Sequence, residues 1–301
     1  MSQNKHRLSY INNAMRRDRI ADKVLENSSK PHLRSDDVVK TIDFVFLPIR
    51  PFNHDGDSGQ LLLAKSKSNK KQQYLVKHTY TDCAANEFVY TKLAQAMGLK
   101  MPDAVLFQLS EDEKRNYFET EYIIGLEYLD IEIKAPTYHQ IRERANNWQD
   151  YFRFLAMYKM FLEGDSFETP LVADGFIYRV DITDSFLLSD IHFSHAGLNV
   201  VTKGVNAKDV IREYVQSIQY HRLWEIVSFD EQMHSLKEKY GEEDSAYFLE
   251  PFAEILEIPD YYIDGFLNTL CYFYPDFIGD YFKSYISALQ EKSCEYLKSV
   301  N

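Results

Sequence analysis

The chain has 301 residues, 45% of them hydrophobic and 15% aromatic, which excludes both a minimal module and an intrinsically disordered chain. Its net charge of −12 argues against a nucleic-acid partner, and three scattered cysteines (Cys83, Cys271, Cys294) give neither a disulfide framework nor a zinc spacing, so a reducing compartment is expected. No stretch approaches the roughly 18 uncharged apolar residues of a membrane helix, and the N-terminus lacks the apolar core of a secretion signal, so the chain is expected to be soluble.

In chain order, residues 1 to about 38 are polar, rich in Arg, Lys and Asn, and read as an N-terminal extension with helical spacing from Ser9 to Leu25. Three β-prone runs come next: TIDFVFLPI (41–49), QLLLAKS (60–66) and QYLVKHT (73–79). NHDGDSG and KSNKKQ separate them as turns, which predicts a small antiparallel sheet. In TDCAANEFVYTKLAQAMGLKMP, Asp82 can cap a helix whose apolar positions run through Phe88, Leu93 and Met97, and Gly98 followed by Pro102 closes it. AVLFQLS (104–110) and YFETEYIIG (117–125) read as two further strands.

Beyond Asn147 the pattern turns helical. Trp148, Tyr151, Phe152, Leu155, Tyr158 and Leu162 mark one apolar face, and Gly164 is the expected stop. FIYRVDI (176–182) reads as a short strand, and helical patterns dominate from Asn206 to the end. The fold class is therefore α+β, with two lobes. The expected divisions are an extension (1–38), a small β-rich lobe (39–130) and a larger helical lobe (131–301).

Charge is distributed unequally along the chain. Residues 1–100 hold 17 Lys and Arg against 10 Asp and Glu, a balance of +7, whereas residues 101–301 hold 17 against 36, or −19. Two differently solvated surfaces account for this. The sharper account is a basic N-terminal region, with Arg16, Arg17, Arg19 and KSKSNKK (65–71), that meets a regulatory polyanion. The same basic residues could instead approach an anionic membrane peripherally, which is the weaker of the two. His192 and His195, in IHFSHAGLN, have metal-like spacing but no third ligand and receive no role.

Phosphoryl transfer needs a cation on the nucleotide phosphates, carboxylates for a divalent metal and a carboxylate beside the attacking hydroxyl. Lys77 lies among apolar residues in QYLVKHT, where a buried ammonium needs an anion, and Glu87 on the next helix is its natural partner. Each residue alone reads equally as a solvated charge.

YLVKHTYTDCAANEFVYTKLAQAMGLKMPDAVLF (74–107) resembles a segment of HipA-like kinases. The shared features are the strand lysine Lys77, Asn86-Glu87 at a helix start, Leu93-Ala94 and Gly98-Leu99 at its end, and Pro102 before the next strand. The resemblance is close over about 35 residues (74–107) and continues beyond them as order and spacing. It implies the two-lobed protein-kinase-like fold and transfer of the γ-phosphate of ATP, with Mg²⁺ or Mn²⁺, to a Ser or Thr hydroxyl of a protein.

On that resemblance Asp165, after a helix end, orients the acceptor hydroxyl, and Asp181 at the end of FIYRVDI binds metal. Ser58 and Gly59, in the loop NHDGDSGQ (53–60), are placed over the phosphates. The hinge falls near Gly125–Tyr128, so that the backbone around Glu127 meets the adenine edge.

The sequence departs from the family around Asp165, which no His precedes or follows in the family manner. The family carries an Asn five residues after the catalytic Asp to hold a second metal, and here that position is Pro170. Glu168 or Asp184 is the expected substitute, because carboxylate oxygen is as good a hard ligand as an amide. Two alternatives stand beside an active kinase: a nucleotide-binding pseudokinase acting as a regulatory module, and a phosphotransferase for a small molecule. The family includes bacterial toxins, so a bacterial cytoplasmic protein or an effector delivered to a host without a cleaved signal is implied.

Overall fold

Six strands build the first half of the molecule: β1 (Val38–Lys40), β2 (Phe44–Pro48), β3 (Leu61–Ser66), β4 (Gln73–Lys77), β5 (Ala104–Gln108) and β6 (Tyr122–Glu127), in the sheet order β1-β5-β6-β4-β3-β2. The structure, a computed structural model, describes residues 38–40, 43–48, 61–77, 81–116, 122–164, 166–182, 185–186, 224–271 and 276–300. The expected helix at Ser9–Leu25, the loop with Ser58 and Gly59, Asp165, Asp184, the two histidines and the run 209–223 lie outside these residues. The three expected runs pair antiparallel as β2, β3 and β4, and every pairing in the sheet is antiparallel except that of the additional strand β1 with β5, which is parallel.

Alternation along the strands sends the two faces of this sheet into different cores. Phe44, Phe46, Leu62, Ala64, Tyr74, Val76, Val105, Phe107 and Ile123 form one cluster. Ala104, Leu106, Ile124 and Leu126 join the main core beneath helix α1 (Thr81–Ala96). Residues 85–94 of α1 are all buried, so the helix is enclosed on every side and its single expected apolar face understates its burial. It ends as expected: Leu99 donates to the Ala94 carbonyl and Gly98 to that of Gln95, both at 3.0 Å, with Gly98 at φ +75°, the paired bonds of a Schellman cap.

The second half is helical. After the short α2 (Glu111–Asn116) and β7 (Ile131–Ile133) come α3 (Tyr138–Arg144), α4 (Asp150–Met160) and β8 (Leu171–Val172), which pairs with β7. The remaining helices are α5 (Ile226–Tyr240), α6 (Glu242–Ser245), α7 (Glu250–Glu254), α8 (Asp260–Cys271) and α9 (Asp276–Ser299), with 3₁₀ turns on either side of α7. No described helix is long and apolar enough to cross a membrane. Arg153 of α4 fastens this half to the end of α1: fully buried, it donates to Asp150, Glu254 and the Met97 carbonyl, each at 2.6 Å.

The left-handed residue that ends α4 is Leu162, at φ +50°, not Gly164. Leu162 donates to Lys159 and Glu163 to Tyr158, again the Schellman pair. A leucine at positive φ costs about 1 kcal/mol, and the burial of its side chain offsets that cost. FIYRVDI is not a continuous strand either: Ile177 and Val180 make isolated bridges, to Leu171 and Glu168.

Candidate functional site

The left-handed turn at Leu162 directs Glu163 inward, where its side chain meets Arg179 in a fully buried ion pair. Arg179 Nη1 also donates to the carbonyls of Glu168 (2.9 Å) and Val180, and Nη2 to that of Ser166 (3.3 Å). One guanidinium thus fixes the backbone just after position 165 to the segment that carries Asp181. Burial opposes its charge more than any other single cause, but Glu163 and Tyr90 together outweigh it and hold the guanidinium above its usual pKa. On the opposite side of the pair, Tyr90 of α1 donates its hydroxyl to Glu163 Oε1 at 2.6 Å. Burial first, then the Glu163 carboxylate, push this phenol well above its ordinary value, so it stays protonated.

The segments 166–170 and 177–181 run antiparallel. Tyr178 donates to the Pro170 carbonyl at 3.2 Å and Val180 to that of Glu168 at 3.4 Å. This sets Glu168 across from Val180, the residue before Asp181. Both carboxylate residues are half-buried, and Ser166 Oγ lies 3.4 Å from Glu168 Oε1. Asp181 adopts φ +56° and Phe186 φ +61°; with Leu162 they are the positive-φ non-glycine residues of the described chain, all within 25 positions (162 to 186). Strained backbone of this kind persists only where its surroundings over-determine it. Around Phe186 they do: its amide donates to the Phe161 carbonyl (2.6 Å), its carbonyl receives the Tyr281 hydroxyl, and its ring packs against Tyr90, Phe161, Phe282 and Tyr285.

Glu87 is fully buried on α1, one turn before Tyr90, and is not a solvated helix-surface charge. Lys77 is the last residue of β4, paired with Leu61. Two residues earlier, Leu75 belongs to a row across the sheet, Leu47–Leu63–Leu75–Leu126–Ala104, that grades from exposed at Leu47 to buried at Ala104. Gly125 is no hinge. It sits within β6 between Val76 and Val105, and its Cα lies under the ring of Phe107, where a Cβ would come within 2.9 Å of Cδ2. The amides of Glu127 and Tyr128 donate to Asp103 (2.7 Å) and Gln73 (2.9 Å), so those two donors already serve the sheet.

Among the described residues no three His, Cys, Asp or Glu side chains group as a metal site. Of the expected carboxylates, Glu168 lies on the segment apposed to the one that carries Asp181. Sequence reasoning missed the Tyr90–Glu163–Arg179 network, although its signal was present: an arginine inside FIYRVDI and a glutamate directly after the apolar MFL, where solvated charges are out of place.

No protein-family model matches the chain, and no curated protein matches it in sequence. Among solved structures, the crystal structure of a Helicobacter pylori proinflammatory kinase, CtkA, is similar with a TM-score of 0.46 at 9% sequence identity, over 86% of this chain and 99% of that one.

Proposed function

We propose that the chain is an ATP-dependent phosphotransferase of protein-kinase-like, HipA-like type that acts on a Ser or Thr hydroxyl of a protein. The observation that supports this reading is the pairing of Glu168 with Val180, the residue before Asp181, with Arg179 tying both segments to the backbone beside position 165. Two half-buried carboxylates on apposed segments are the hard-oxygen donors that Mg²⁺ takes, and they answer the loss of the asparagine at Pro170. The apolar row ending at Leu47 fits a flat base, and the row passes Leu75, two residues from Lys77.

When bound, ATP with its metal supplies the γ-phosphoryl group and neutralises charge on the phosphates. The chain does the rest. Lys77, held by Glu87, contacts the phosphates; Asp181 and Glu168 hold the metal, with Asp184 as a further donor; Asp165 orients the acceptor hydroxyl and takes its proton. Ser58 and Gly59 cover the phosphates. Because the amides of Glu127 and Tyr128 are engaged, the adenine edge takes its donor from residues after 128. Most of the acceleration comes from positioning and electrostatic stabilisation.

Purified protein with ATP, Mg²⁺ or Mn²⁺ and a protein substrate should become labelled or label the substrate, and both Asp165→Ala and Asp181→Ala should abolish this. Labelling that survives both changes refutes the site. A nucleotide-binding pseudokinase is the second reading, favoured by Pro170 at the asparagine position. It requires thermal stabilisation by ATP and metal with no transfer to any acceptor.

A further inference from the structure

Tyr90 has no part in the phosphoryl-transfer roles assigned above, yet its hydroxyl bonds helix α1 directly to the residues flanking position 165. That hydroxyl is a lone polar atom on an otherwise apolar ring packed against Phe161 (4.8 Å between centroids) and Phe186 (6.2 Å). A phenylalanine would fill the same space. The hydroxyl is therefore not needed for packing, and it donates to the carboxylate that orients Arg179.

From Arg179 the connection continues to three carbonyls, those of Ser166, Glu168 and Val180. Arginine suits this junction because its planar fork presents several donors in fixed directions, which an ammonium does not. Three residues before Tyr90, and so on the same side of α1, stands Glu87. Any rotation or slide of α1 that displaced Glu87 would also pull on Glu163, and through Arg179 on the backbone of residues 166–168.

We propose that Tyr90 is a positioning residue: through Glu163 and Arg179 it latches the placement of helix α1 to the loop around residues 163–168. The consequence for catalysis rests on the function proposed above; the mechanical coupling does not. The latch transmits no proton and forms no bond to substrate. It sets the distance between the Glu87-bearing helix and the metal-facing segment.

The test compares the full chain with Tyr90→Phe and, as a destabilised control, Thr137→Ala, which removes the capping box of α3 outside the network. Hydrogen exchange of peptides covering 163–170 and 177–181 should rise in Tyr90→Phe and stay at the wild-type level in Thr137→Ala. In the transfer assay, kcat of Tyr90→Phe should fall about tenfold or more, as small misplacements of reacting groups do, with KM for ATP within about twofold. Unchanged exchange in those peptides overturns the latch whatever the activity. Raised exchange with kcat unaltered, or a loss confined to KM, overturns the role of Tyr90 as a positioning residue for catalysis. Raised exchange in a chain whose wild type shows no transfer supports the latch and refutes the proposed activity.

Discussion

Glu163 and Arg179, sixteen residues apart, form an ion pair with essentially no exposure to solvent on either side chain. Burying both charges is costly, and the geometry repays it only while both partners and the surrounding carbonyl acceptors remain in place. Arg179→Met leaves the Glu163 carboxylate buried without its cation. The expected loss is about 3–5 kcal/mol, read as a shift of the urea midpoint at constant slope. Combining Arg179→Met with Glu163→Gln should recover much of that loss, because the stranded charge is removed. Equal midpoints for the single and double variants contradict this account.

Gly125→Ala should destabilise the sheet by about 1–3 kcal/mol through overpacking. The added Cβ collides with the Phe107 ring, and that ring cannot simply move away, since it stands edge-on to Phe44, Phe46 and Tyr74 at centroid distances of 5.0 to 5.7 Å. Pairing the change with Phe107→Leu should restore part of the thermal midpoint. A Gly125→Ala variant as stable as the wild type would place the origin of this glycine elsewhere.

Alkaline pH should unfold the protein in a defined window. Tyr90, Tyr285, Tyr138, Tyr178 and Tyr296 all have phenols raised above the usual value, burial being the largest cause in each. In the unfolded chain they ionise at pH about 10. A raised folded pKa means that the unfolded state binds fewer protons above that pH, so stability is fully present below pH about 10 and falls as pH rises beyond it. Phenolate absorbance from these residues should therefore appear together with the loss of helix, not before it. Their early ionisation in a still-folded chain would rule out these hydroxyls as the cause.

Glu168→Ala should raise the Mg²⁺ concentration needed for half-maximal transfer about tenfold or more, in line with the loss of a ligating group. Metal-free ATP binding should not change, because Glu168 stands across from the segment that carries Asp181 and not in the sheet. Metal dependence equal to the wild type would leave the substitution for asparagine to another residue.

Much of this architecture is legible in the primary structure because its signals are local. Gly98 ends α1 where the expected cap stands, and the strands at 44–48, 61–66, 73–77 and 104–108 fall inside short β-prone runs bounded by turn residues. The proposed order of Lys77, Glu87, Asp165 and Asp181 is likewise read from intervals along the chain. What needed three dimensions is whatever depends on a partner far away. The parallel pairing of β1 with β5, the two-residue β8 and the bridges at 177 and 180 carry too little sequence to register as periodicity. The close approach of Phe107, eighteen residues earlier, to Gly125 is likewise invisible along the chain. The pairing of Arg179 with Glu163 follows only once the left-handed turn at Leu162 carries the glutamate into the core. The residue types set which chemistry the chain can perform, since they fix charge and hydrogen-bonding capacity. Only the tertiary fold decided which charges are buried, because burial belongs to the packing of distant segments and not to any one of them.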